Sequence, residues 1–351
     1  MLQVIDGPAL RTDDYYIKRV EDGMDELRFS ISVNDPAYKV LREEMRVLET
    51  RYQQTYVIQH INSGTGAVSV NCRLDLDDWR RRIHLLDGDG VVVGYSTGLR
   101  TAGEILGGVR PDGWTVTGDA SKEDKCAISM QGPTDLEVAM QVQDRFGCRF
   151  RFDNRRREVQ IIYPEDQPVS NGYIVDTVNA RGVPRYTGAS DSVYTRIYPI
   201  GLDGLTIAGV NEGKPYLEDT SVVSSTISYL WSDSRYKDLE SLKAAAAVKL
   251  RAAARPSRSW EVDVVDLKAI DPIRWPDMGT ELFRRVRLVD EYRGVSEIVQ
   301  IVEQVEYPYY PERNRVKLST ATQSASKRIR QLTDQIANAN SELWQRIGGA
   351  K

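Results

Sequence analysis

A chain of 351 residues is too long for one hydrophobic core and implies two or more domains. It is 41% hydrophobic and 28% charged, as soluble globular proteins are, and no stretch nears the roughly 18 apolar residues that argue for a membrane span, so stable membrane insertion is not expected. Lys plus Arg is 47 and Asp plus Glu is 51, and the resulting net charge of −4 speaks against a protein whose main work is gripping nucleic acid.

The N-terminus, Met1-Leu2-Gln3-Val4-Ile5-Asp6, lacks a basic start followed by an apolar run, so no secretory signal is expected and synthesis in the cytoplasm follows. Residues 1–86 read as β-rich. From Leu27 to Val33 polar and apolar residues alternate with the period of a half-buried strand. Asn34-Asp35-Pro36 breaks the strand, and a short helical stretch to Glu44 is expected. Tyr52 to Ile61, the loop Asn62-Ser63-Gly64-Thr65-Gly66 and Ala67 to Leu74 predict a hairpin. Asp77-Asp78-Trp79-Arg80 predicts a short helix, with carboxylates suited to its N-terminus.

A second unit, 87–168, reads as two helices followed by a hairpin. Thr101 with Glu104 has the capping-box spacing, and Ile105, Leu106 and Val109 form an apolar side. The second helix runs from Thr134 to Phe146, with Leu136, Met140 and Val142 or Gln143 near one face and Gly147 as its stop. Cys148 to Asn154 and Glu158 to Tyr163 supply the hairpin, and the basic run Arg155-Arg156-Arg157 between them reads as a solvated turn or a contact with an acidic neighbour or phosphates.

In 169–320 strands return around one strong helix. Val193 to Gly201 is strand-like, and Asp203-Gly204 marks a turn. Leu239 to Ala254 is Ala-rich and helical, stopped by Pro256. Trp260 to Leu267, Val286 to Val289, Glu297 to Glu306 and Arg315 to Leu318 complete the strands. The tail, 321–351, carries Ile329, Leu332, Ile336, Ala339 and Leu343 at spacings of 3, 4, 3 and 4, a heptad seam. It reads either as an amphipathic helix lying on its own domain or as a bundle around a symmetry axis.

No catalytic or metal constellation emerges. Gly94-Tyr95-Ser96-Thr97-Gly98 matches a nucleophile elbow, but the general-base histidine of that arrangement follows the serine, and His60 and His84 both precede it. His60 and His84 are too far apart for a helical metal pair, no Cys-x-x-Cys occurs, and the Asp75, Asp77, Asp78 cluster lacks the glycine and closing Glu of a calcium loop. Gly88-Asp89-Gly90 with Gly94 lacks dinucleotide-loop spacing. Cys72, Cys126 and Cys148, odd in number and dispersed, read as free thiols. No cofactor is expected.

The order of elements resembles the N-terminal module of siphophage tail-tip hub proteins, the tail-associated lysin or prophage endopeptidase tail family. The segments that carry the resemblance are Asn34-Asp35-Pro36-Ala37-Tyr38, Leu74 to Trp79, Thr101 to Leu106, Gly113-Trp114-Thr115-Val116, and above all Ser192 to Gly201 with Asp203 to Ile207. Tyr216-Leu217-Glu218-Asp219, Trp231 to Tyr236 and Glu261 to Leu267 extend it. The resemblance implies a β-rich α+β fold like that of a baseplate hub. Two tail-tube-like β-barrels (1–86, and 169–320 with 201–256 inserted) would carry an accessory domain (87–168) and a C-terminal helix (321–351). It further implies a non-enzymatic homotrimeric ring at the distal end of the virion tail. The ring would join the distal tail protein, meet the tape-measure protein and the receptor-binding or fibre proteins, and pass phage DNA without reading its sequence. Two rivals are a tail-attached cell-wall hydrolase and a carbohydrate- or receptor-binding module using Trp79, Trp114, Trp231 or Trp275 as stacking platforms.

Overall fold

The computed structural model describes residues 1–84, 94–119, 122–123, 125–175, 178–190, 192–233 and 236–320. The chain divides into two compact units, one holding Met1–Val183 and Val262–Lys317, the other Pro184–Glu261 and residues 318–320.

The first unit opens with seven strands: β1 (Leu2–Val4), β2 (Ala9–Leu10), β3 (Tyr15–Val20), β4 (Glu26–Ser32), β5 (Arg46–Glu49), β6 (Gln54–Ser63) and β7 (Ala67–Leu74). They form one sheet in the order β3-β4-β7-β6-β5-β1-β2. The alternation expected from Leu27 onward is that of β4, whose Leu27, Phe29 and Ile31 are buried. The predicted hairpin is β6–β7, with a bulge between Ile58 and His60. The helical stretch after Pro36 is only one 3₁₀ turn, Pro36–Lys39, capped by Asp35. Helix α1 (Asp77–Arg80) follows, with Trp79 buried.

The next segment contains β8 (Tyr95–Ser96), β9 (Arg100–Thr101), α2 (Ala102–Val109), β10 (Thr115–Gly118), β11 (Lys125–Cys126), β12 (Ser129–Met130), α3 (Asp135–Phe146), β13 (Arg149–Asp153) and β14 (Glu158–Ile162). The predicted capping box of Thr101 with Glu104 forms, a second one joins Thr134 to Glu137, and Gly147 takes the left-handed conformation that ends α3. The buried face of α3 holds Leu136, Val138, Ala139, Val142 and Gln143, whereas Met140 is only partly covered. The expected hairpin β13–β14 gains a third strand, because β10 runs parallel to β14. This segment shares a single hydrophobic core cluster with the first seven strands. Trp79 sits between them, edge-on to Trp114 at 5.5 Å and to Phe152 at 5.5 Å.

Strands β15 (Val169–Val175), β16 (Arg185–Ala189), β17 (Arg196–Ile200), β18 (Leu217–Glu218) and β19 (Ser228–Ser232) come next, then α4 (Leu239–Ala253), β20 (Ser257–Asp263), α5 (Leu267–Ile270), β21 (Arg285–Asp290), β22 (Val295–Glu306) and β23 (Arg315–Ser319). In the first unit β15 pairs parallel with β21, and β21 pairs antiparallel with β22. Twelve-residue β22 serves two strand sets: residues 295–300 pair with β21, and residues 303–306 pair with β3. The strands assigned from sequence to two barrels are therefore joined by hydrogen bonds. Among the described residues this sheet follows an open path and closes no barrel.

In the second unit β16 pairs with residues 257–261 of β20, and a separate sheet has the order β18-β17-β19. Ile197 of β17, Trp231 of β19 and Leu242, Ala246 and Leu250 of α4 share a small core with Ile207. The strand expected from Trp260 to Leu267 ends earlier, at Asp263, because Asp266 caps α5 by accepting from the Ala269 amide.

Candidate functional site

A densely bonded place in the first unit is the seam where β3 meets the last residues of β22. The register sets Val20 opposite Glu303 and Ile17 opposite Glu306. Lys18 Nζ lies 3.2 Å from a Glu303 carboxylate oxygen, and Arg19 Nη1 lies 2.5 Å from Glu306 Oε2 and 3.3 Å from Gln304 Oε1. From β6's side, Tyr52 Oη donates to Glu306 Oε1 at 2.5 Å, and its ring takes the Arg19 guanidinium at 4.8 Å. Burial opposes the Arg19 charge, but Glu306 and Asp25 more than compensate and hold its pKa above the usual arginine range. Burial also pushes the Tyr52 hydroxyl up to about 12, with the Glu306 carboxylate adding to the effect.

A tyrosine layer continues the seam. Tyr15 lies edge-on to Tyr309 at 5.7 Å, and Tyr16 lies against Tyr307 at 5.1 Å. Tyr309 Oη accepts from the Met1 amino group at 2.9 Å, Tyr310 Oη donates to Asp13 at 2.8 Å, and Arg313 reaches Asp14 at 3.0 Å. Few of these residues stood out in the sequence. A run of Tyr-Pro-Tyr-Tyr-Pro from Tyr307 to Pro311 was the available signal, but its partners lie near the opposite end of the chain.

The residues weighed for chemistry are accounted for differently. Ser96 is exposed on two-residue β8, which pairs with Ser129–Met130, and the chain continues into β9 and not into the strand–turn–helix of a nucleophile elbow. His84 Nε2 is 2.6 Å from Asp135 Oδ1, its ring is packed on Tyr95 at 4.8 Å, and Arg82 grips the same carboxylate at 2.9–3.1 Å. Asp135 is 2% exposed, so this trio fastens the start of α3. His60 sits exposed at the β6 bulge. The Asp75, Asp77, Asp78 cluster is neutralised by Arg46, Arg73 and Arg81 beside an open polar cavity of about 230 Å³. Among the described residues no group of three or more metal-ligating side chains comes together.

Cys72 and Cys148 are buried and free, and burial raises both thiols, Cys148 to about 12. Trp79, Trp114 and Trp231 are buried, which leaves them poorly placed as stacking platforms for sugar. Arg155, Arg156 and Arg157 form an exposed turn whose first two amides donate to Asp153. Gly88 and Gly90 of the glycine series and the seam of Ile329, Leu332, Ile336, Ala339 and Leu343 lie outside the described residues.

No curated protein matches the sequence. The model of the prophage endopeptidase tail family matches residues 171–329. Three solved structures share the fold. Prophage tail protein gp18 from Listeria monocytogenes EGD-e aligns over 92% of each chain with 16% identity and a TM-score of 0.62. The prophage MuSo2 tail protein from Shewanella oneidensis aligns over 91% of this chain and 96% of its own, with 11% identity and a TM-score of 0.62. The chain shares the fold of these prophage tail proteins. The tail protein from Neisseria meningitidis MC58 gives the same result, with 12% identity, 91% and 94% coverage and a TM-score of 0.59. In this prophage-tail-like fold the matched segment 171–329 includes β22, the strand that builds the seam.

Proposed function

We propose that this protein is the structural hub of a long-tailed phage tail tip, assembled as a homotrimeric ring at the distal end of the virion tail. The observation that supports this reading best is the sharing of β22 between two strand sets, which holds them edge to edge in one subunit. A subunit with two laterally joined strand sets supplies two sixths of a ring, so three copies would match a sixfold tube above while keeping threefold symmetry below. The first set would be the tube-like domain at 1–86. The second would be built from the strands of 169–320, with 87–168 as an accessory part. The distal tail protein would sit above the ring, and the tape-measure protein behind it. The receptor-binding or fibre proteins would lie beyond it.

In this reading the work is done by interfaces and by gating. The ring closes the tube before infection and opens on host contact, letting DNA pass. A lumen for transit repels phosphate weakly, because close charge neutralisation would hold the strand. The first test is the mass of the purified protein by light scattering, alone and with the distal tail protein. Three times 39.7 kDa or a whole multiple of it, followed by images of a six-lobed ring, is the expected result. A monomer at every concentration and in the presence of the distal tail protein would overturn it, and a strongly basic lumen would overturn the account of transit.

A further inference from the structure

Among the described residues, the three-stranded sheet of the second unit ends in an edge that is chemically unguarded. Edge strands of natural proteins are usually blunted by charge, proline, bulges or a covering loop. Here β19 ends the order β18-β17-β19, and residues 220–232, Thr-Ser-Val-Val-Ser-Ser-Thr-Ile-Ser-Tyr-Leu-Trp-Ser, contain no charged residue, proline or glycine. Leu230 is 64% exposed and Tyr229 45% exposed, with Ile227 and Val222 also open to solvent. By contrast, β16 carries Arg185, paired with Glu261, and Gly188.

The hydrogen bonds show which residues offer the free edge. Ile227 O accepts from the Arg196 amide, and the Asp233 amide donates to Ile200 O. Odd-numbered residues of β19 therefore turn their backbone groups toward β17, and Ser228, Leu230 and Ser232 turn theirs outward. All three are exposed, whereas Trp231, whose backbone groups face β17, is buried.

The sequence of this edge is its own complement. Antiparallel pairing centred on Leu230 sets Ser228 opposite Ser232, Tyr229 opposite Trp231 and Leu230 opposite its own copy. It also uses the outward-facing residues as the hydrogen-bonded pairs. Tyr229, already stacked on Tyr194 at 4.5 Å, would meet the Trp231 of the other copy on the face that carries α4. We propose that two copies of this chain join through their β19 edges in this register, forming a twofold contact separate from the threefold ring. The contact is isologous, so one strand suffices for both partners. The inference stands on the edge alone and does not depend on the hub reading.

Cysteine placement tests the register in the full-length protein. Hydrogen-bonded antiparallel pairs lie about 5.5 Å apart between Cα atoms, within the span a disulfide bridges. Leu230→Cys should therefore form a covalent dimer under mild oxidation. Ser228→Cys alone should not, and Ser228→Cys with Ser232→Cys should. The unmodified chain, with its three native thiols, serves as the background. Leu230→Lys should lower the solution mass relative to the native chain while leaving the circular dichroism of the folded chain unchanged, since Leu230 is exposed. Failure of Leu230→Cys to cross-link, equal cross-linking by Ser228→Cys alone, or a mass unchanged by Leu230→Lys would each overturn the proposal. An unchanged mass would leave the edge to a strand of a different protein.

Discussion

Tyr15 Oη donates a 2.7 Å hydrogen bond to Glu49 Oε1, joining β3 to the end of β5 across a buried space. Glu49 is fully buried, and its carboxylate also accepts from the Arg51 amide at 2.9 Å and the Tyr52 amide at 2.8 Å. Burial and the adjacent carboxylate together hold the Tyr15 hydroxyl well above the usual tyrosine range, so it stays a donor at every physiological pH. Tyr15→Phe removes that donor and leaves a buried carboxylate oxygen short of one partner. A loss of about 1–3 kcal/mol is expected in urea unfolding, with no change in the slope of the transition. A loss below a few tenths would show that the pair adds nothing to the fold.

The seam at Arg19 and Glu306 makes a sharper prediction. Each side chain is 13% exposed, and removing one member of such a pair strands the other charge. Arg19→Met should cost about 3 kcal/mol, whereas Arg19→Met with Glu306→Met should cost less than the sum of the two single changes. A double-mutant cycle reads this directly. Full additivity would mean that Tyr52 and Gln304, and not the ion pair, carry the seam.

What the sequence reveals here follows the range of the interactions. The capping boxes at Thr101 and Thr134 and the stop at Gly147 are local, three or four residues across, and they are legible. So is the alternation of Leu27, Phe29 and Ile31. Four-residue β10 is not, because its reason for being a strand is β14, about forty residues later. The same holds for β22. Its composition announces a strand, but nothing in it announces that residues 295–300 and 303–306 serve different neighbours. Arg19 and Glu306 are 287 residues apart, and no local pattern encodes that meeting. The likeness of element order to phage tail proteins reached the fold that gp18 and the MuSo2 tail protein share, because it compares long-range arrangements that residue-by-residue reading cannot reach.

Asn154 ties the β13–β14 turn to the first sheet. Its Nδ2 donates to Thr55 O at 2.7 Å and to Asp75 O at 3.1 Å, while its Oδ1 accepts from the Thr55 amide at 3.1 Å. Asn154→Ala deletes all three bonds, leaves the Thr55 amide without its acceptor and takes a donor from the Asp75 and Thr55 carbonyls, the latter keeping the Asp75 amide at 2.9 Å. A destabilisation of about 2–4 kcal/mol is expected. Hydrogen exchange should quicken at Thr55 and its neighbours before the β3–β4 pair is affected. Uniform quickening across the unit would instead mean that the β13–β14 turn and the sheet unfold as one.

Asp25 gives the fold a pH dependence opposite to that of most paired carboxylates. Burial raises its carboxyl from an ordinary value near 3.8 to about 7, against the lowering effect of the Arg19 charge and a 3.3 Å hydrogen bond from the Val20 amide. Below about pH 4 the group is protonated both folded and unfolded and contributes nothing. Between pH 4 and 7 the folded chain holds a proton that the unfolded chain releases, so stability falls as pH rises and the full penalty is reached above pH 7. Asp25→Asn keeps the acceptor for Val20 and removes the titration. Its stability relative to the native chain should be near equal at pH 4. By pH 8 it should grow to an upper bound of about 4 kcal/mol, the worth of a shift from 3.8 to about 7. Denaturant unfolding at four pH values checks this. A difference that is constant with pH would mean that Asp25 is ionised throughout and that Arg19, not burial, sets its charge.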